Sequence, residues 1–284
     1  MNLLTSWVDS APLAVLGAVG LGLMVLAVIG GAKLRERHDR FKAAANDVED
    51  GQETYVVSAV LGLLALLLGF TFALAVDRYE TRRALVVEEA NAIGTAYLRS
   101  QLLGEPHRTR LSRLLVEYTD NRLVLAKAGP GRNAPLLKEN DRLITELWAA
   151  TASAFVTIED LDFSSAYVDS MNALIDLDTA RKAARMVHVP TEVFVVLIIY
   201  IVVTAAVLGY VLVGRRGRGS AAIMLALLGM SFLLIIDVDR PTRGGIRETQ
   251  APMEQLRDSL KAQSPAVFDH WRLLDAKASS PQSK

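Results

Sequence analysis

Residues 55–76 read YVVSAVLGLLALLLGFTFALAV, a stretch without a single Asp, Glu, Lys or Arg. About 20 apolar residues in a helix cross the roughly 30 Å of hydrocarbon in a bilayer. Three more uncharged runs occupy residues 12–32, 193–213 and 220–236. The last of these has only about 17 residues, so it can span the hydrocarbon only with little tilt. The four runs together predict an integral membrane protein with four transmembrane helices.

The runs stand as two close pairs around a long polar stretch. This order predicts an all-α fold in which two transmembrane hairpins, residues 1–76 and 190–238, flank a soluble insert at residues 77–189. Residues 239–284 read as a polar C-terminal tail. We expect the second and third spans to continue into the insert as helical rods.

Apolar residues of the insert recur at the spacing of amphipathic helices, and turn residues such as those at 129–131 separate the segments. Four helices are therefore predicted in the insert. Their expected inward residues are Tyr79, Val86, Ala90, Ile93 and Tyr97; then Leu111, Leu114, Leu115, Tyr118 and Leu125; then Leu137, Ile144, Leu147, Trp148, Thr151 and Phe155; then Tyr167, Met171, Leu174, Leu177 and Ala184.

Composition excludes several classes of protein. Lys and Arg number 31, Asp and Glu number 31, and the two signs are interleaved, so no basic surface for nucleic acid is indicated. The chain has no Cys, and its four His are widely separated, so no metal site is expected. No nucleophile motif or phosphate-binding loop is present either. We therefore predict neither catalytic residues nor a cofactor.

Small residues recur at four-residue steps in the first span. Ala14, Ala18 and Gly22, and then Ala27 and Gly31, follow this spacing. Small side chains let two membrane helices approach closely. The first span is therefore predicted to pack tightly against another helix.

The end of the second span carries the most specific signal. Residues 68–79, LGFTFALAVDRY, resemble the stretch of bestrophin anion channels in which the pore-lining second helix passes from the membrane into the cytosol. The order of two spans, a helical insert and two more spans is similar to that family as well. Closer still are the bacterial bestrophin-like membrane proteins, long known only as a domain of unknown function, which the segments at 89–93 (EANAI), 178–182 (DTARK) and 237–241 (DVDRP) resemble. The resemblance covers about residues 34–253.

The resemblance implies a homo-oligomer, a pentamer in bestrophins, with the second helices around a pore for small anions. It also implies a plasma-membrane (inner-membrane) location with the insert and both termini in the cytoplasm, an orientation that the numbers of Lys and Arg beside the spans do not decide. The constriction of the family falls on Gly62, Leu66 and Phe70; because Gly62 is not bulky, a hydrophobic gate here would be shorter. Alternatively, these residues face lipid or neighbouring helices.

Charged residues lie where the second and fourth spans end. Asp77 and Arg78 follow the second span, and Asp237, Asp239 and Arg240 end the fourth. They could pair, line a pore-mouth vestibule that sorts ions by charge, or form an ordinary interfacial belt.

The loop after the fourth span departs from the family pattern. In bestrophins this loop is rich in acids and helps to bind calcium, whereas residues 241–248 read PTRGGIRE, with a single carboxylate. Calcium requires six to eight oxygen ligands, several of them carboxylates. We therefore expect no calcium control through this loop.

Two functions remain open at the level of sequence. The first is an oligomeric ion channel, and the second is a non-conducting membrane sensor or scaffold whose helical insert binds a partner.

Overall fold

The computed structural model describes residues 11–43, 53–128, 133–212, 214–240 and 244–270, and within these ranges it contains helices and no strand. The turn predicted at 129–131 and the loop residues 241–243 lie outside this description. The helices are α1 (Leu13–Ala43), α2 (Glu53–Ser100), α3 (His107–Lys127), α4 (Asn133–Phe155), α5 (Ser164–Met186), α6 (Thr191–Val211), α7 (Gly214–Asp239) and α8 (Ala251–Ala262), followed by a short 3₁₀ helix at Pro265–Asp269. The predicted all-α class is confirmed.

Four segments are long and apolar enough to cross a membrane, as the sequence predicts: Leu13–Phe41 in α1, Tyr55–Ser100 in α2, Ser164–Val211, which takes in α5 and α6, and Arg216–Asp239 in α7. The second span does continue beyond its apolar run, because α2 is unbroken over 48 residues. The third span does not form a rod with the insert: α5 ends at Met186 and α6 begins at Thr191. Pro190 is the N-cap residue of α6. Proline has no N–H to donate and disfavours helix in the residue before it, so it starts a helix more readily than it continues one.

The chain divides into two compact units. The first, called here the membrane unit, comprises Met1–Tyr79 and Val187–Arg247, and the second, the insert unit, comprises Glu80–Met186 and Glu248–Lys284. Each unit has its own apolar core.

In the membrane unit, α1 and α6 approach until their backbones touch. A Cβ atom added to Gly31 would overlap the carbonyl of Ala206, and one added to Gly209 would lie 2.7 Å from the Cα of Val28. Gly31 therefore makes the close approach that its small size predicts. Gly22, from the same stripe, has no neighbour within 4 Å of such a Cβ. Only the end of the predicted stripe forms a tight helix contact.

In the insert unit, the predicted core residues of the first two helices are largely buried. Val86, Ile93, Leu111 and Tyr118 are each at most 1% exposed. The predicted face of α4 is partly wrong. Trp148 is 43% exposed. The buried face of α4 is formed by Asn140, Leu143, Leu147, Ala150, Thr151 and Ala154.

The C-terminal tail also contributes to the insert unit. Helix α8 buries Met253 and Leu260 in the core of this unit. On the surface, Lys261 pairs with Asp120 at 2.8 Å. The apolar residues Met253, Leu256 and Leu260 recur at helical spacing, so residues 239–284 are not a polar tail throughout.

We expect Gly209→Leu to lower the stability of the membrane unit. The added side chain must push α1 and α6 apart, and overpacking of this kind costs about 1–3 kcal/mol. Thermal unfolding of the protein in detergent, followed by circular dichroism, measures the change. Gly22→Leu is the matched control, because nothing lies within 4 Å of its Cβ position. Equal melting temperatures for the two variants would contradict the close contact.

Candidate functional site

The predicted constriction residues lie on an exposed face of α2. Leu66 is 54% exposed and Phe70 is 67% exposed, and no atom comes within 4 Å of a Cβ built on Gly62. The opposite face of α2 is buried in the membrane-unit core through Leu64 and Ala75, both 0% exposed. The stripe of Gly62, Leu66 and Phe70 is therefore uncovered in a single chain. It points away from the helices that pack against α2 within the membrane unit.

Charged residues that were expected at a pore mouth form specific contacts inside the membrane unit. The carboxylate of Asp237 accepts hydrogen bonds from the backbone N–H groups of Gly245 at 2.7 Å and Ile246 at 3.2 Å. A Cβ on Gly244 would lie 2.5 Å from the same carboxylate, so glycine is needed for this close approach. Asp237 thus holds residues 244–246 beside the end of α7.

Asp239 and Arg240 are buried and make similar contacts. The carboxylate of Asp239 accepts the backbone N–H of Val189 at 3.0 Å and lies 3.6 Å from the Nδ1 atom of His188. Arg240 donates from Nη1 to the carbonyl oxygen of Ala11 at 2.9 Å. A buried backbone group without a partner is costly, so these side chains stabilise the ends of the spans. Asp77, in contrast, is exposed. A vestibule formed by these charges stays a prediction.

The side-chain carboxylate of the loop after the fourth span is committed to an ion pair. The single carboxylate of its 241–248 segment, Glu248, forms a buried ion pair with Arg82 at 2.7 Å within the insert unit. Among the described residues, no three His, Asp or Glu side chains converge as metal ligands.

A buried charge cluster lies at the centre of the insert unit. Glu89 is 0% exposed, and its carboxylate accepts a hydrogen bond from the hydroxyl of Tyr118 at 2.7 Å. The guanidinium of Arg122 approaches the same carboxylate at 2.8 Å, and that of Arg181 pairs with its other oxygen. One carboxylate from α2 is therefore held by groups from α3 and α5.

Asp178 extends the cluster to α4. Its Oδ1 atom accepts from Asn140 at 2.9 Å and lies 3.2 Å from Nη1 of Arg122. Its Oδ2 atom pairs with Nζ of Lys182 at 2.7 Å. Of these residues, the sequence motifs at 89–93 and 178–182 contain Glu89, Asp178, Arg181 and Lys182; the partners Arg122 and Asn140 lie outside any motif. Asn140 lies on the apolar face of α4, and a buried polar side chain at such a position indicates a hydrogen-bond partner on another helix.

The electrostatics of the cluster favour an ionised Glu89. Burial alone would raise the pKa of Glu89, but the charges of Arg122 and Arg181 and the hydrogen bond from Tyr118 outweigh it and hold this pKa below its usual value. Burial, together with the negative charge of Glu89, raises the pKa of Tyr118 well above its ordinary value, so this hydroxyl keeps its proton and donates a hydrogen bond to Glu89. The cluster thus has two cations around one carboxylate, with a neutral donor completing its coordination.

These features define a class of protein: a four-span helical membrane protein with a helical insert fastened by a buried charge cluster. The Bestrophin-like domain model matches residues 22–253. The chain therefore belongs to the Bestrophin-like domain family.

Solved structures show the same fold. A crystal structure of a mutant of a bacterial bestrophin homolog from Klebsiella pneumoniae is 15% identical, with 85% of this chain and 97% of that chain covered and a TM-score of 0.63. A second mutant of a bacterial bestrophin homolog from that organism is 16% identical over 84% of this chain and 97% of that chain, with a TM-score of 0.60. No curated protein matches the chain in sequence. The chain is thus a bestrophin-type membrane protein, as its sequence indicates.

We expect Glu89→Gln to destabilise the insert unit by about 3–5 kcal/mol, because the buried guanidinium of Arg181 loses its counter-charge and that of Arg122 keeps only Asp178. A carboxylate whose pKa is lowered by folding stabilises the folded state at any pH above its pKa in the unfolded chain, which is 4.5 for Glu. This contribution is lost as the pH falls through the pKa of the folded state. The difference between the parent and the variant should therefore shrink below about pH 4.5.

Chemical denaturation of the full chain in detergent, at pH 7 and at pH 4, measures both effects. Glu139→Gln is the control, since Glu139 pairs with Arg142 on the exposed surface of α4 and should change stability little. A variant as stable as its parent at pH 7 would show that Glu89 does not hold the insert together.

Proposed function

We propose that this protein is an oligomeric ion channel whose pore is lined by α2 and conducts small anions. The observation that supports this proposal is the uncovered stripe of Gly62, Leu66 and Phe70 on a membrane-spanning helix. Several copies of an uncharged helix face can enclose a pathway that a single copy cannot. The family to which the chain belongs and the fold that it shares with the Klebsiella pneumoniae bestrophin homolog support the same assignment.

The chemistry of the stripe suits a gate that excludes water. Rings of Leu66 and Phe70 around a common axis would narrow the pathway and make it dewet, which stops ions without any fixed charge. Gly62 lies one turn away and adds no side chain. The proposed constriction is therefore about one helical turn long, from Leu66 to Phe70.

The environment of the channel follows from the same proposal. We place the protein in the plasma membrane with the insert unit and both termini in the cytoplasm, as a ring of five copies. Asp77 and Arg78, at the end of the second apolar run, would then lie where α2 leaves the membrane.

We expect the purified protein to be a closed ring, most simply a pentamer. A central pore requires several copies of α2 around one axis, which a monomer or a dimer cannot provide. Native mass spectrometry from detergent or nanodiscs gives the subunit number directly. A monomer or a simple dimer in both media would exclude the pore.

Replacing Leu66 and Phe70 together by Ala should raise ion flux through reconstituted liposomes, because smaller side chains widen the constriction and let it stay wet. Chloride efflux, measured against empty liposomes, is the readout. The matched control is Phe72→Ala, which removes a large side chain from a 39% exposed position that lies about 160° around the helix from Phe70.

The control should conduct like the parent. Flux equal to that of empty liposomes in the parent and in both variants, with the ring intact, would contradict conduction and favour the sensor or scaffold.

A further inference from the structure

A large groove opens in the membrane unit between α1 and α7. Its volume is about 680 Å³, within the usual range of small-molecule sites. Most of the groove is lined by apolar residues, including Met24, Val25, Val28, Ala221, Ala222 and Leu225. The groove lies on a different helix pair from the uncovered stripe of α2.

The helix contacts explain why the groove exists. The glycines Gly31 and Gly209 let α1 pack directly against α6, so this side of α1 is covered by α6. Helix α7 presents the small side chains of Ala221, Ala222 and Ala226 to the groove, and these fill little of the space beside α1. Close helix packing on one side of α1 thus leaves an open channel on the other.

One end of the groove is charged with both signs. Arg35, Glu36, Asp39 and Arg218 line this end. Arg35 is held in place, since its Nη1 donates to the carbonyl of Tyr210 at 3.0 Å and its Nε lies 3.7 Å from the carboxylate of Asp39. Glu36 and Arg218 are exposed and form no ion pair within the described residues. The charged end therefore offers a carboxylate and a guanidinium to a bound group.

The position of the two ends matches one leaflet of a bilayer. The charged residues stand just beyond the apolar runs of α1 and α7, whereas the apolar wall lies inside those runs. Along α1 the groove extends from Leu21 to Asp39, about 27 Å at 1.5 Å per residue. Half of a bilayer, headgroup included, is about 20–22 Å thick. The groove is about 5–7 Å longer than one leaflet, so the headgroup and acyl chain of one amphiphile can lie within it, with the headgroup at the charged end.

We infer that this groove binds a glycerophospholipid with a phosphoethanolamine headgroup, its acyl chain against the apolar wall. The phosphate matches the guanidinium groups of Arg218 and Arg35, because planar guanidinium groups form charge-assisted hydrogen bonds with phosphate. The primary ammonium carries three N–H donors and matches the carboxylates of Glu36 and Asp39. Contacts of this kind between basic side chains and the phosphate are how basic pockets between membrane helices bind lipid headgroups. A choline headgroup lacks the N–H donors, and a glycerol headgroup lacks the positive charge.

Native mass spectrometry tests the groove directly. The full-length protein is equilibrated in detergent with equal amounts of phosphatidylethanolamine, phosphatidylcholine and phosphatidylglycerol. We expect retained phosphatidylethanolamine to exceed each of the others about ten-fold, and the double variant Glu36→Gln and Arg218→Gln to lose this preference. Arg216→Gln is the matched control, since Arg216 is exposed near the start of the same helix but does not line the groove.

A second pair of variants tests the apolar wall. Ala222→Trp should fill the groove and remove the retained lipid, whereas Ile223→Trp, at a 66% exposed neighbour outside the groove, should leave it bound. Equal retention of all three lipids by the parent would reduce the groove to general lipid contact and overturn the inference. So would a change in subunit number in Ala222→Trp, which would assign the groove to a second copy of the chain. Chloride flux is measured separately, so neither result depends on conduction.

Discussion

A bilayer offers no hydrogen-bond partners to the peptide groups that cross it, and this constraint shapes the whole membrane unit. Within hydrocarbon each backbone N–H and C=O must be satisfied inside its own segment, so the four apolar runs adopt helices. Apolar side chains gain little by leaving lipid for other side chains. Close packing at small residues therefore decides which helices associate. In this membrane unit, Gly31 and Gly209 provide such close packing between α1 and α6. At the ends of the spans, side chains satisfy the backbone instead: the carboxylates of Asp237 and Asp239 accept hydrogen bonds from backbone N–H groups of the adjoining segments.

The insert unit is stabilised by different forces. Its helices bury apolar side chains away from water, which favours compaction without specifying a single arrangement. The charge cluster supplies the specificity, because a carboxylate on α2 is satisfied only when α3 and α5 bring Arg122 and Arg181 to it. Burying these charges is costly, so their pairing stabilises one arrangement of the helices over others more than it adds to total stability.

The stripe on α2 and the groove beside α1 are both uncovered within one chain, and their chemistry differs. The stripe on α2 is uncharged and bears the large side chains of Leu66 and Phe70. The groove beside α1 combines an apolar wall with an end of mixed charge. A uniform apolar stripe suits contact with further copies of itself around an axis, whereas a polar-ended groove suits a single amphiphile. The two proposals therefore concern separate surfaces and separate ligands.

The sequence by itself determined the helical class, the four spans and the family, because run length, missing charge and short motifs are local properties. It also placed Glu89 and Asp178 in motifs, although not in contact. Only the tertiary structure decided that these motifs meet at Arg122. It also decided that Asn140 of α4, rather than Trp148, faces the core of the insert unit. Helical periodicity gives an apolar face to within about one position, and a buried polar partner 38 residues away can rotate that face. The groove could not be predicted for the same physical reason: its space is left by how α1 and α6 pack, and packing joins residues that are distant in the chain.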